Sequence, residues 1–167
     1  MSLINTKLLN VLSGYEFNKI YKDKTKFYKF LNDDLMHNSF KYELGLNVDV
    51  NPFTPNGSCS KGGLYFCKEN DCHFYVDVYG RKLALVEIPD DAKIYIEQNK
   101  FKADKIILTD IINFDNVPDD IWINTLLLRY VKEELQTNEL CILAVINNVS
   151  ELQYVKEEFK ASLLITV

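Results

Sequence analysis

The stretch KLALVEIPDDAKIYIE, residues 82–97, decides the fold. Lys82–Ile88 and Lys93–Glu97 read as two strands, since each is a short apolar run bounded by turn residues. Between them, Pro89-Asp90-Asp91 puts a proline where a ladder would need a backbone donor, so the chain turns there. The neighbouring segments are read outward from these two strands.

Toward the C-terminus, Lys105–Ile112 continues the strand pattern. Pro118-Asp119-Asp120 then opens a helix expected to run to about Gln136. Two carboxylates sit at the positive end of its dipole, and Ile123, Leu127, Tyr130 and Val131 share one face. Leu140–Ile146 is a continuous apolar run, read as a buried strand. Ser150 with Gln153 makes a capping box for a helix carrying Leu152, Val155 and Phe159, and Leu163–Val167 closes as a strand. Residues 118–167 are thus expected to form a C-terminal α/β extension ending in a β-α-β unit, whose strands, if both join one sheet, run parallel with a right-handed crossover.

Toward the N-terminus, Leu64–Cys67 is a short buried strand, followed by a segment from Glu69 to Tyr79 that is ambiguous between helix and irregular structure and ends at Gly80. From Gly45 to Gly63 turn residues are dense, including Asn51-Pro52, Pro55-Asn56-Gly57-Ser58 and Gly62-Gly63. Loops of this length inside a compact domain are usually functional or disordered. The embedded Phe53 suggests one pinned to the body, with Lys61 and Tyr65 at its far end as candidate binding residues. Phe40–Leu44 and Lys26–Phe30 are read as further strands, and residues 3–13 as an amphipathic helix stopped by Gly14. The expected architecture is α+β: a mixed sheet with flanking helices and a C-terminal β-α-β unit, in a single domain spanning 1–167.

Apolar residues at 47% and charged residues at 26% lie well outside the range of chains too polar to fold. The overall charge of −5 conceals an asymmetry: residues 1–30 carry six lysines against Glu16 and Asp23. The remainder is acidic and lacks the broad positive field of most nucleic-acid binders. The arm Lys19–Lys29 still interleaves lysines with aromatics. Lys22, Lys24, Lys26 and Tyr28 could therefore pair phosphate contacts with base stacking, although a lysine-faced edge strand explains the same residues. The start of the chain lacks the pattern of a secretion signal, no apolar run approaches the ~20 residues of a membrane span, and the four cysteines are expected to be free thiols.

No constellation carries a familiar chemistry. Cys59, Cys67, Cys72 and His73 fall close together, but at spacings of seven and four with Cys72 and His73 adjacent, which suits zinc poorly; no metal or other cofactor is assigned. His37 and His73 are the two available imidazole bases, and neither sits in a nucleophile signature, so no catalytic residue is assigned. Gly62-Gly63 leads into a strand, with Lys61 before the pair, unlike either phosphate-binding glycine motif.

Residues 26–108 carry, in order, KFYKFL (26–31), FKYELGLNVD (40–49), FTPNGSCSKGGLYF (53–66), YG (79–80), LVEIP (85–89) and FKADKIIL (101–108). In this order they resemble an uncharacterised domain of giant DNA viruses of the mimivirus type, often found ahead of ankyrin repeats. The resemblance implies a viral protein of the infected host cytoplasm or the virion and transfers no activity. More loosely, a strand, a long loop and then GGLYF is similar to the order in ADP-ribosyltransferase-type folds. There the position of an NAD-anchoring His or Arg offers only Lys29, and no acidic motif supplies a catalytic Glu. The expected function is that of a non-enzymatic viral accessory or virion protein binding a host or viral protein, with no membrane role and with homo-oligomerisation open. The alternatives are nucleic-acid binding through residues 19–29, as a dimer or not, and a transferase-like enzyme or degenerate relative.

Overall fold

The computed structural model describes residues 10–57 and 59–166, the last three by backbone only. Two compact units divide the chain, Met1–Phe114 and Asp115–Val167. The helix expected over residues 3–13 falls for the most part outside the described residues. Its described end is instead a strand, β1 (Val11–Ser13), and Gly14 begins a helix rather than stopping one. Ser13 supplies the reason: its hydroxyl accepts from the Glu16 N–H while the Glu16 carboxylate accepts from the Ser13 N–H, a complete capping box. The helix that follows, α1 (Gly14–Tyr21), buries Phe17.

Among the described residues the first unit has nine further strands: β2 (Phe27–Leu31), β3 (Met36–His37), β4 (Phe40–Lys41), β5 (Gly45–Val48), β6 (Leu64–Lys68), β7 (Lys82–Glu87), β8 (Lys93–Ile96), β9 (Phe101–Ala103) and β10 (Lys105–Asn113). Eight strands form one sheet in the order β1-β8-β9-β6-β2-β7-β10-β5, and β3 pairs with β4 in a hairpin. Every pairing is antiparallel. The fold is α+β as expected, but the sheet is antiparallel rather than mixed. Nor is the Lys26–Phe30 segment an edge strand: β2 lies between β6 and β7, and all five of its residues are buried. Phe17, Phe27, Phe66 and Phe101 cluster at its end with ring centroids 5.0–6.0 Å apart, Phe66 stacked on Phe101, Phe17 tilted against Phe27 and the other pairs edge to face. Leu31, Ala84, Ile94, Ile106 and Leu108 extend that core across the sheet.

The second unit corrects two expectations. The helix expected over 119–136 ends early: α2 spans Asp119–Asn124, after which Thr125 bonds back to the Ile121 and Trp122 carbonyls and Leu126 takes a φ of +59°. Two short 3-10 turns follow, at Leu128–Tyr130 and Glu133–Leu135. Among the described residues the expected β-α-β unit is helical, and Val167, the end of its expected last strand, lies outside them. Leu140–Ile146 belongs to α3 (Asn138–Asn147), Val149–Tyr154 is a 3-10 turn, and Leu163 lies in α4 (Glu157–Thr166). Thr137 caps α3 by accepting from the Leu140 N–H, which favours helix over strand for that apolar run.

Candidate functional site

Lysines at mid-strand positions organise the first unit. Lys29, at the centre of β2, is 3% exposed. Its ammonium donates to the Tyr65 carbonyl at 2.7 Å, lies 2.9 Å from His37 Nδ1 and sits 4.5 Å above the Tyr42 ring. Burial pulls its pKa from 10.5 to about 7, against a partial upward pull from Cys67 and Cys59. His37 is set in place by the two-residue hairpin turn Asn38-Ser39, both residues at positive φ. Burial first, then the charges of Lys29 and Lys100, lower its pKa to about 4, so the imidazole is neutral at pH 7. Lys29 and His37, with Tyr28, Tyr65, Tyr75, Tyr79, Cys59 and Lys100, line a cleft of about 30 Å³, room for water-sized occupants.

Lys102 on β9 is fully buried and clasps the long loop. Its ammonium donates to the Thr54, Asn56 and Lys61 carbonyls, the Asn56 side-chain oxygen and the Ser60 hydroxyl at 2.9–3.3 Å. Desolvation lowers its pKa. The glycine pair is explained by the same clasp. Gly63 has a φ of +145°, and a Cβ there would come within 2.5 Å of the Lys102 stem. Its N–H donates to Asp49 Oδ2 at 2.7 Å, fixing the loop's other root. Beside the loop, Lys100 lies 2.9 Å from Cys59 Sγ and 4.6 Å over the Tyr65 ring, with Glu97 at 3.8 Å. Burial lowers the Lys100 pKa, but Cys59 and Glu97 outweigh it and the net shift is upward.

Of the candidate residues, Tyr28 and Tyr65 are buried at the cleft, while Phe53 is half-buried on the loop. Lys61 is exposed and contributes its carbonyl to the clasp. Lys22, Lys24 and Lys26 are exposed and stand apart from this cleft. Lys22 and Lys26 border a separate opening of about 490 Å³ together with Asp23, Glu87 and Asp90, so the charge there is mixed. Among the described residues, no three metal-binding side chains converge. Cys67 and Cys72 are buried with sulfurs 3.8 Å apart, and the His73 ring contacts the Asn70 carbonyl. Sequence reasoning passed over Lys100 and Lys102. The signal for Lys29 and Lys102 was a lysine flanked on both sides by apolar strand residues, Tyr28 and Phe30 in one case and Phe101 and Ala103 in the other.

The other notable surface is strand β5. Among the described residues it is one of the two edge strands of the eight, β1 being the other, and Leu46 and Val48 on one face are 54% and 48% exposed. Leu44 and Val50, which flank it, are 65% and 90% exposed. The Asp49 N–H donates inward to the Asp104 carbonyl, so by strand alternation the Leu46 and Val48 backbone groups face away from the sheet.

The family model for DUF7666, a domain of unknown function, matches residues 25–119, from the start of β2 into α2. The chain belongs to this family. Two curated proteins similar to this chain come from Acanthamoeba polyphaga mimivirus, and both are named as ankyrin repeat proteins. R868 is 39% identical over 67 residues, 39% of this chain and 33% of the relative; R229 is 29% identical over 119 residues, 65% and 38%. The chain therefore spans about a third of the length of these curated relatives. No solved structure matches it. Among the described residues of this DUF7666 chain, no helix is long and apolar enough to cross a membrane.

Proposed function

We propose that this DUF7666 chain is a non-enzymatic protein-binding module of a giant virus, acting in the infected cell or the virion, and that it binds by strand addition at β5. The occupant we assign is β5 of a second copy. The observation that carries the reading is an outermost strand whose outward backbone groups belong to exposed Leu46 and Val48. Edge strands are normally blunted by lysine, proline or a covering element, and the sequence Leu44-Gly-Leu-Asn-Val-Asp-Val50 contains neither lysine nor proline.

The strand is also complementary to itself. In an antiparallel pair centred on Asn47, Leu46 faces Val48 of the second copy and Leu44 faces Val50. Glu43 then meets Asn51, and Asp49 meets Gly45. Centring on Leu46 instead would set Glu43 against Asp49, and centring on Val48 would bring Pro52 into the ladder; both are disfavoured. A pair of this length buries less than the ~1,200 Å² of a typical stable interface, so dissociation in the range of about 10–100 μM is expected.

Sedimentation equilibrium across that range tests the reading. The expected result is a concentration-dependent dimer lost in Leu46→Lys and unaffected by Lys22→Glu/Lys24→Glu/Lys26→Glu. A wild-type chain that stays monomeric throughout, or a dimer that survives Leu46→Lys and Val48→Lys, overturns it. Salt-sensitive binding of a DNA duplex, lost only in the triple lysine variant, would instead favour nucleic-acid binding.

A further inference from the structure

The Cys59–Lys100 contact is used neither by the strand edge of β5 nor by the Lys102 clasp. We infer that Cys59 and Lys100 form a reversible covalent cross-link under peroxide, a nitrogen–oxygen–sulfur bridge that ties the long loop to the β8–β9 turn.

The geometry is already that of a reactive pair. The sulfur is exposed and reachable by a small oxidant, and the amine is 2.9 Å away, a separation slightly longer than two covalent bonds to one shared oxygen span. Neither group is free to swing aside. Lys100 is held over the Tyr65 ring at 4.6 Å and beside Glu97 at 3.8 Å, and the Glu97 N–H donates to the Lys100 carbonyl across the turn. Cys59 has a φ of +56°, a left-handed conformation that a cysteine holds only where its surroundings impose it. Lys102 imposes it here, binding the loop at Thr54 and Asn56 before the cysteine and at Ser60 and Lys61 after it. The remaining described cysteines, Cys67, Cys72 and Cys141, are buried, so oxidation is directed to Cys59.

The chemistry balances with peroxide as the oxidant. One hydrogen peroxide converts the thiol to a sulfenic acid and releases one water. A second oxidises the sulfenic oxygen and the neutral Lys100 amine together: the O–H and one N–H bond break, the N–O bond forms, and two waters leave. The ammonium proton goes to solvent. Sulfur and nitrogen together give up four electrons, which two peroxides accept. Excess thiol reductant reverses the change.

The test is mass spectrometry of the full chain after brief exposure to dilute hydrogen peroxide. One oxygen gained and two hydrogens lost is a change of about +14 Da, distinct from about +16 for a sulfenic and about +32 for a sulfinic acid. The expected result is a +14 species whose tryptic digest contains one cross-linked peptide joining Cys59 to Lys100. It should be removed by thiol reductant and absent in Cys59→Ser and in Lys100→Arg. A wild-type chain showing only +16 or +32, a disulfide-linked dimer, or a bridge to any lysine other than Lys100 overturns the inference. Because the wild-type digest alone decides the matter, poor folding of either variant does not obscure the result.

Discussion

Replacing Lys29 with methionine should remove a pH dependence that few small domains possess. Burial holds the folded-state pKa near 7 against 10.5 for the free side chain. Between those values the unfolded chain binds a proton that the folded chain has released. Stability therefore rises with pH, with a slope approaching 1.4 kcal/mol per unit, and below pH 7 the contribution is constant because both states are protonated. Integrated from pH 7 to 9, the gain is about 2 kcal/mol for this 3%-exposed group. Groups of opposite sign act later. The Cys72 thiol is pushed well above 9.0 by burial, and the Tyr42 and Tyr75 hydroxyls above 10.0, so they reduce stability only toward and beyond the top of that window. Lys102, whose pKa desolvation also lowers, acts with the same sign as Lys29. Urea unfolding followed by circular dichroism at pH 7, 8 and 9 should show the wild-type midpoint rising and the Lys29→Met midpoint nearly flat. Equal slopes in the two proteins would refute the assignment of a near-neutral pKa to the buried amine.

Other perturbations have equally definite outcomes. Lys102→Met removes the donor to the Thr54, Asn56 and Lys61 carbonyls. Since those acceptors can be rewetted, the loss should be about 2–3 kcal/mol, with limited trypsin cutting after Lys61 before the sheet is attacked; an uncut loop would contradict the clasp. In the second unit, Glu151 is fully buried and its carboxylate accepts from Arg129 at 2.8 Å; Arg129 is partly exposed and can be hydrated, so Glu151→Ala should cost about 1.5–3 kcal/mol in thermal or urea unfolding. His37 adds an acid-side effect. Its pKa, lowered from 6.5 to about 4, means the unfolded chain alone is protonated between those values, so stability falls as pH drops through that window and His37→Gln should blunt the fall.

The strands were legible where their signals were local. Lys82–Glu87 and Lys93–Ile96 flank a turn whose proline and two aspartates leave little else to the chain, and both strands form as read. The helix over 119–136 failed because its apolar spacing continues past Thr125, while the hydroxyl of that residue and the positive φ of Leu126 end it locally. The run Leu140–Ile146 suits a buried strand and a buried helix equally by periodicity, and the deciding cap, Thr137, lay three residues upstream. The candidate site was half legible. The turn-rich loop and Tyr65 stood out, but what holds them is a lysine some forty residues away in sequence, and no local pattern encodes that pairing. The edge position of β5 was hidden for the same reason: it depends on strand order, which turn residues do not reveal.

The central claim, strand addition at β5, is tested most directly by register-specific cross-linking. In a Cys59→Ser background, Leu46→Cys and Val48→Cys chains are prepared separately and then mixed under mild oxidation. Pairing centred on Asn47 sets residue 46 of one copy against 48 of the other, so the mixture should form disulfide heterodimers faster than either variant forms homodimers. Homodimers forming as fast as the heterodimer, or no cross-link at concentrations where the wild type associates, would contradict it.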